Sequence, residues 1–232
     1  MERFPITAAG YARMEAELKE LEHQALRLQM NPHFIFNSLA SISNFIGKND
    51  AAEAKRYLTK FAKLMRLILE NSREEFIPLT EEIDSLTYYM ELEQLRFRDK
   101  FSFEINTDPS IDREHLFIPP MLIQPHIENA ILHGMAPKET KGMILISFER
   151  TEGLLRCVVE DNGVGRKRAA EIKARTKTQH TSLAMKIIFE RLSILFPGKN
   201  KINIITEDLE DENKNAIGTR VLFNLPCRDH LN

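Results

Sequence analysis

From Met14 onward the apolar residues return at alternating steps of four and three: Met14, Leu18, Leu21, Ala25 and Leu28, then Pro32, Ile35, Leu39, Ile42 and Ile46, with Glu and Lys on the other faces. That rhythm predicts a long amphipathic helix with one face in need of a partner. The stretch "GKND" at 47–50 then supplies a glycine stop, followed by Asn and Asp as caps for a second helix. "AAEAKRYLTKFAKLMRLILENS" repeats the rhythm through Ala54, Leu58, Phe61, Met65 and Ile68, so two antiparallel helices form a hairpin. A hairpin alone leaves both seams uncovered. Dimerisation into a four-helix bundle covers them, and packing against the rest of the same chain is the alternative.

After "FIPLT" a third helix is predicted from Thr80, with acids in its first turn and apolar positions at Ile83, Leu86, Met90 and Phe97. Beyond residue 100 the pattern turns to alternation: "FSFEI", then "MILISF" and "LLRCVVE" around the turn "RTEG", then "KINIIT" and "TRVLFNLP" around the polar "EDLEDENKNAIG". Helical segments are expected between them, near 120–134 and 183–196. The fold class is α+β in two domains: a helical hairpin dimerising into a four-helix bundle, then an α/β sandwich of mostly antiparallel strands under helices. The expected division is a coiled-coil signalling helix over 1–26, the hairpin over 27–78, a connecting helix over 79–100 and a second domain over 101–232.

Composition narrows the function classes. A chain of 232 residues, 43% hydrophobic, 28% charged and with a net charge of −2, can bury a core and lacks the basic excess of a nucleic-acid binder. Cys157 and Cys227 belong to no CxxC or Cys/His cluster, which removes support for a disulfide scaffold or structural zinc. No apolar run approaches the ~20 residues that cross a bilayer, and "MERFPITAAG" lacks the apolar core of a signal peptide. A reducing cytoplasm is therefore expected.

Three stretches carry candidate chemistry. "LQMNPHFIFNSL" sets Pro32 on the seam, where it removes a backbone donor and should bend the helix one residue before His33. Asn37, one turn further on the same face, can orient an imidazole or a bound phosphate. "IENAILHG" places Asn129 and His133 four apart, followed by a glycine able to end the helix. "VVEDNGVG" ends an apolar strand in an acid and two glycines spaced for a tight loop. Taken singly, each reads equally well as a kinked helix, a surface amide or a plain turn. The segment after the third stretch shifts the balance: "RKRAAEIKARTKTQHTS" carries six Lys or Arg against a single Glu, a loop able to close over a polyanion.

In their order, "NPHFIFNSL", "PPMLIQPHIENAILHG", "VEDNGVG", "ERL" and "GTRVLFNLP" resemble the cytoplasmic kinase core of LytS/YehU-type sensor histidine kinases, within the Bergerat-fold ATPase superfamily, from about residue 20 to 227. The resemblance implies ATP and Mg2+ as cofactors. By it, Asn129 holds the Mg2+ that bridges the phosphates, a role suited to an amide oxygen, and His133 approaches those phosphates. Asp161 accepts a hydrogen bond from the adenine amino group, Gly163 and Gly165 let the loop pass beside the base, and Thr219 completes the pocket. Residues 166–182 become a lid, with Ser182 at its far end. His33 becomes the phosphoacceptor, assisted by Asn37. The implied partners are a second copy of the chain, joined through the hairpin, and a response-regulator receiver, by analogy one of LytTR type. No direct contact with nucleic acid is implied, and membrane contact only through a region preceding this sequence, so the location is cytoplasmic, either free or as the inner portion of an anchored sensor.

The chain departs from that pattern at several positions. Phe34 stands where many histidine kinases carry an acid, which leaves the base for His33 unassigned. Ser182 and Ala184 replace glycines of the lid, and Ile187 replaces an asparagine. Pro125 occupies the place of the glutamate of ATP-hydrolysing relatives, which favours transfer to a side chain over hydrolysis, with Glu128 able to assist water or metal. A rival reading of the same residues is an ATP-binding pseudokinase or regulatory module that does not phosphorylate itself.

Overall fold

A computed structural model describes residues 32–151, 154–176 and 204–229. The upstream seam from Met14 to Leu28, the lid residues Ser182, Ala184 and Ile187, and the helix expected over 183–196 lie outside the described residues.

Helices α1 (Pro32–Gly47) and α2 (Ala51–Asn71) form the hairpin. Asn49 carries the turn at φ 58, and Asp50 caps α2 by accepting the Glu53 N–H at 3.2 Å, the use that "GKND" suggested. The inner face of the hairpin is aromatic. The Phe34 ring lies 5.1 Å from Tyr89 and 6.2 Å from Phe61, and Phe45 lies 6.0 Å from Tyr57. The buried Tyr57 hydroxyl donates to Ser38 Oγ at 3.3 Å, so the polar atoms inside this face satisfy each other. Tyr89 belongs to α3 (Leu79–Arg96), against which the hairpin packs; Lys60 pairs with Glu91, and the Lys63 ammonium sits 5.6 Å from the Tyr88 ring centre. The same chain thus covers part of the seams, while Phe36, Leu39, Ile46, Leu58 and Leu69 remain exposed.

No side chain caps α3. Its first N–H groups donate to loop carbonyls instead, Leu79 to Leu116 at 2.8 Å and Thr80 to Arg113 at 3.1 Å, while Glu81 and Glu82 lie in the first turn, where the helix dipole favours acids. Glu82 is buried, and its Oε2 accepts the Met121 N–H at 3.0 Å, fixing Met121 at φ 64. An antiparallel pair, β1 (Ile77–Pro78) with β3 (Phe117–Ile118), flanks this junction.

The main sheet of the described residues contains β2 (Phe101–Thr107), β4 (Gly142–Thr151), β5 (Leu154–Asp161), β6 (Ile204–Glu210) and β7 (Ala216–Pro226), in the order β2-β4-β5-β7-β6. β2 runs parallel to β4, and the other pairings are antiparallel. Alternation turns Ile144, Ile146, Phe148, Leu155, Cys157, Val159, Phe223 and Leu225 to one buried face. That face shares one apolar cluster with Leu86 and Met90 of α3, with Ile127 of α4 (Gln124–Asn129) and with Phe34 and Tyr57 of the hairpin.

Two local expectations are corrected. "EDLE", expected within a polar connection, instead continues β6; this edge strand is largely solvated on both faces, which hides the alternation. The start of the expected lid loop is a helix, α5 (Arg166–Thr176), rich in the good helix formers Arg, Lys and Ala and opened by an Ala169 N–H bond to the Gly165 carbonyl at 3.0 Å. Among the described residues no helix is long and apolar enough to cross a membrane.

Candidate functional site

The inward positions of β5 read Leu155, Cys157, Val159 and then Asp161, so the last place in an apolar series is taken by a carboxylate. Asp161 is only 7% exposed. Burial pushes its carboxyl from the ordinary 3.8 up to about 6; the Gly163 N–H bond at 2.8 Å and the Lys138 charge pull it back, and Glu160 adds to the rise. Thr219 on β7 pairs directly with Asp161.

Glycines bring the backbone of another element against this acid. α4 runs without interruption into a π-helical turn, Ala130–Met135, so Gly134 does not end the helix as its position in the sequence suggested. A Cβ at Gly134 would lie 2.7 Å from Asp161 Oδ1, and one at Gly163 would lie 2.5 Å from the Gly134 Cα and 2.6 Å from the same carboxylate oxygen. The Val164 N–H donates to the Gly134 carbonyl at 3.3 Å. Gly165 adopts φ 76, where side chains are disfavoured. A Cβ at Gly218 would run into the Asp161 carbonyl oxygen. The helix and the acid loop therefore meet with bare backbone on both sides of a buried carboxylate, and a π turn at the meeting point is a frequent mark of a functional site.

Asn129 closes α4 and His133 lies in the π turn, both partly exposed. Gly134, Asp161, Gly163 and Thr219 are thus brought together, with Gly165 in the same loop, while Asn129 and His133 lie on the continuous α4 and π-turn segment that leads to Gly134. His33 and Asn37 belong to α1, which packs on α2 and α3 instead. Around Asn37, which is partly exposed, Phe36 is open to solvent while Phe34 is buried.

The sequence reading missed the ties that hold this junction. Asn162 Oδ1 accepts the Met143 N–H at 2.7 Å and receives Lys138 Nζ at 3.3 Å, while Lys138 also reaches the Asn162 carbonyl. Lys100 Nζ donates to the Ala136 carbonyl at 2.6 Å, and Arg166 forks onto Asp208 at 2.6 and 2.8 Å, fastening the start of α5 to β6. Lysines and asparagines in short loops carry no periodic signal, so nothing in the sequence marked these partners.

His126, three residues before Asn129, faces the core at 5% exposure and stacks on Phe223 with ring centres 4.8 Å apart; its Nε2 has no hydrogen-bond partner among the described residues. Burial drives its pKa from the ordinary 6.5 down to about 4, so the neutral ring is the folded form. Between pH 6.5 and 4 the unfolded chain takes up a proton that the folded chain refuses, which lowers stability by about 3 kcal/mol as the pH falls through that window. His126→Phe is therefore expected to unfold at a higher denaturant concentration than the parent, with the gap widening from pH 7 to pH 5; a gap independent of pH would show that the ring is not held neutral.

The chain is similar in sequence to several known proteins. A sequence profile described as "Histidine kinase" matches residues 21–101. The chain is 29% identical over 217 residues to the sensor histidine kinase YesM of Bacillus subtilis, covering 92% of this chain and 35% of that protein. It is 36% identical over 154 residues to the sensor protein LytS of Oceanobacillus iheyensis, covering 66% of this chain and 26% of that protein. Among solved structures, the histidine kinase domain of the blue-light activated histidine kinase EL346 from Erythrobacter litoralis aligns with a TM-score of 0.43 and 17% identity over 90% of this chain and 95% of that one. The chain spans about a third or less of the length of these two sequence relatives. The profile over residues 21–101 and the similarity to YesM and LytS together support a LytS-type sensor histidine kinase.

Proposed function

We propose that the chain phosphorylates itself on His33 from ATP and then passes the phosphoryl group to the aspartate of a response-regulator receiver, one of LytTR type. The observation that supports this best is the glycine-lined approach of Gly134 and Gly163 to the buried carboxylate of Asp161. Burial still disfavours this carboxylate although it accepts the Gly163 N–H, so a second donor such as the exocyclic amino group of a flat base would be favoured beside it. Asn129, partly exposed at the end of α4, would offer an amide oxygen to Mg2+, which would supply positive charge against the phosphates. His133 stands one π turn away for the phosphates.

On the acceptor side, a histidine with a pKa near ~6.5 is largely neutral at cytoplasmic pH and offers a ring lone pair. That nitrogen attacks the γ-phosphorus in line, ADP leaves, and the ring releases a proton to solvent. Phe34 cannot assist, because it serves as packing against Phe61 and Tyr89. The exposed Leu39, Ile46 and Leu58 supply apolar surface for a homodimer through the hairpin, and Pro32, the first residue of α1, would be the joint to the helix that the sequence pattern predicts before it. Incubation of the purified chain with γ-labelled ATP and Mg2+ is expected to yield an acid-labile, alkali-stable label. Tight ATP binding without label would instead favour the pseudokinase reading.

A further inference from the structure

Glu93 is anomalous. It lies on the apolar face of α3, four residues after Tyr89 and seven after Leu86, yet it is a carboxylate with 1% of its surface exposed. Its Oε2 pairs with Arg96 Nη2, but among the described residues neither its Oε1 nor Arg96 Nε has a hydrogen-bond partner. Arg96 rests on the Phe97 ring at 4.4 Å. Burial lifts the Glu93 carboxyl to about 7 against the pull of Arg96, and Glu128 pushes the same way. A half-satisfied buried ion pair of this kind is a poor device for stability, since apolar side chains of the same volume do as well or better.

Its location gives it another use. Tyr57, from α2, lies within the field of both Glu93 and Arg96, and its hydroxyl is bonded to Ser38, on the helix that carries His33. Tyr89, one turn before Glu93 on α3, carries the Phe34 ring of α1 at 5.1 Å, and both rings share one apolar cluster with Ile127 of α4. Glu128 is the neighbour of Asn129 on α4. Gln94, beside Glu93, donates to the Phe101 carbonyl at 3.0 Å and so ties the same turn of α3 to the sheet.

We propose that Glu93 and Arg96 are positioning residues for phosphoryl transfer, forming a buried polar joint between the helix that carries His33 and the helix that carries Asn129. The proposal rests on the kinase reading above. The spare Oε1 and Nε give the joint a second way to pair when Tyr57 shifts with the hairpin, so a displacement is met by a discrete change of partners and not by gradual slippage.

Three chains test it: the parent, Glu93→Gln, and the double variant Glu93→Leu with Arg96→Met. Each is measured for melting temperature, ATP affinity and rate of labelling at saturating Mg-ATP. The double variant is expected to melt at or above the parent and to bind ATP within about twofold, yet to label at least about tenfold more slowly, a loss in kcat and not in KM. Glu93→Gln, which keeps the shape and one acceptor oxygen, is expected to lose labelling about fivefold with its ATP affinity unchanged. A stable double variant labelling at the parent's rate would reduce the pair to packing. If the double variant fails to fold, a parental rate in Glu93→Gln overturns the proposal by itself. A parent that never labels counts against the kinase reading, whereas a parent that labels no faster than its variants counts against the joint alone.

Discussion

Asp161→Asn is expected to weaken ATP binding by about 100-fold while raising the melting temperature of the nucleotide-free chain. Both effects come from the same charge. The carboxylate lies at the end of the inward row of β5 and is raised from 3.8 to about 6 by burial, which corresponds to about 3 kcal/mol of disfavour for the ionised form in the folded chain at neutral pH. An amide of the same shape removes that cost and keeps an oxygen for the Gly163 N–H. It cannot offer the adenine amino group a charged acceptor, a loss of about 2 to 3 kcal/mol. The stability gain should be full above pH 6 and vanish as the pH falls towards 3.8, because the parent's own carboxyl is then protonated in the folded state. Calorimetric titration with ATP and melting curves across that range check both halves. An unchanged ATP affinity would remove Asp161 from the base pocket.

His33→Gln is expected to abolish the acid-labile label altogether while leaving ATP affinity within about twofold, since the proposed nucleophile is lost and the proposed nucleotide site is built from other elements. Asn129→Asp should also lose the label, through its failure to hold the metal and phosphates. Mixing the two defective chains separates the routes of transfer: label reappears only where one subunit's nucleotide site serves the other subunit's histidine. Label persisting in His33→Gln alone would move the acceptor elsewhere in the chain.

The fold was most legible where a periodic pattern coincided with a local stop signal. Asp50 could be read as a cap because it follows a glycine at the end of one seam and opens another, and it caps α2 in the structure. The strands around "RTEG" were visible because one face of each is buried, whereas the second half of β6 was missed because both of its faces are wet. The candidate site was legible as motifs but not as contacts. Gly134 looked like a stop in sequence; its reason for being glycine, the approach of Asp161, comes from a segment far along the chain. Glu93 sits in a correct helical period with the wrong chemistry for it, and sequence pattern offers no way to tell a buried acid from one on a solvated flank. Likewise Glu82 reads as an ordinary first-turn acid, yet it spends its oxygen on the Met121 backbone.

The place of β7 in the sheet governs the order of events in time. The hairpin closes through neighbours in the chain, but β5, which ends in Asp161, finds its second partner only in a strand that comes after residue 215, and Thr219 lies on that strand. Pairings over such separations form late, and a chain made from its N-terminus folds its early segments first. Helix α1, with the proposed acceptor His33, is therefore expected to form before the proposed nucleotide site around Asp161 is complete. A nascent chain halted before β7 should carry the hairpin with His33 and bind no nucleotide, so on the proposed reading the nucleotide site would arise last.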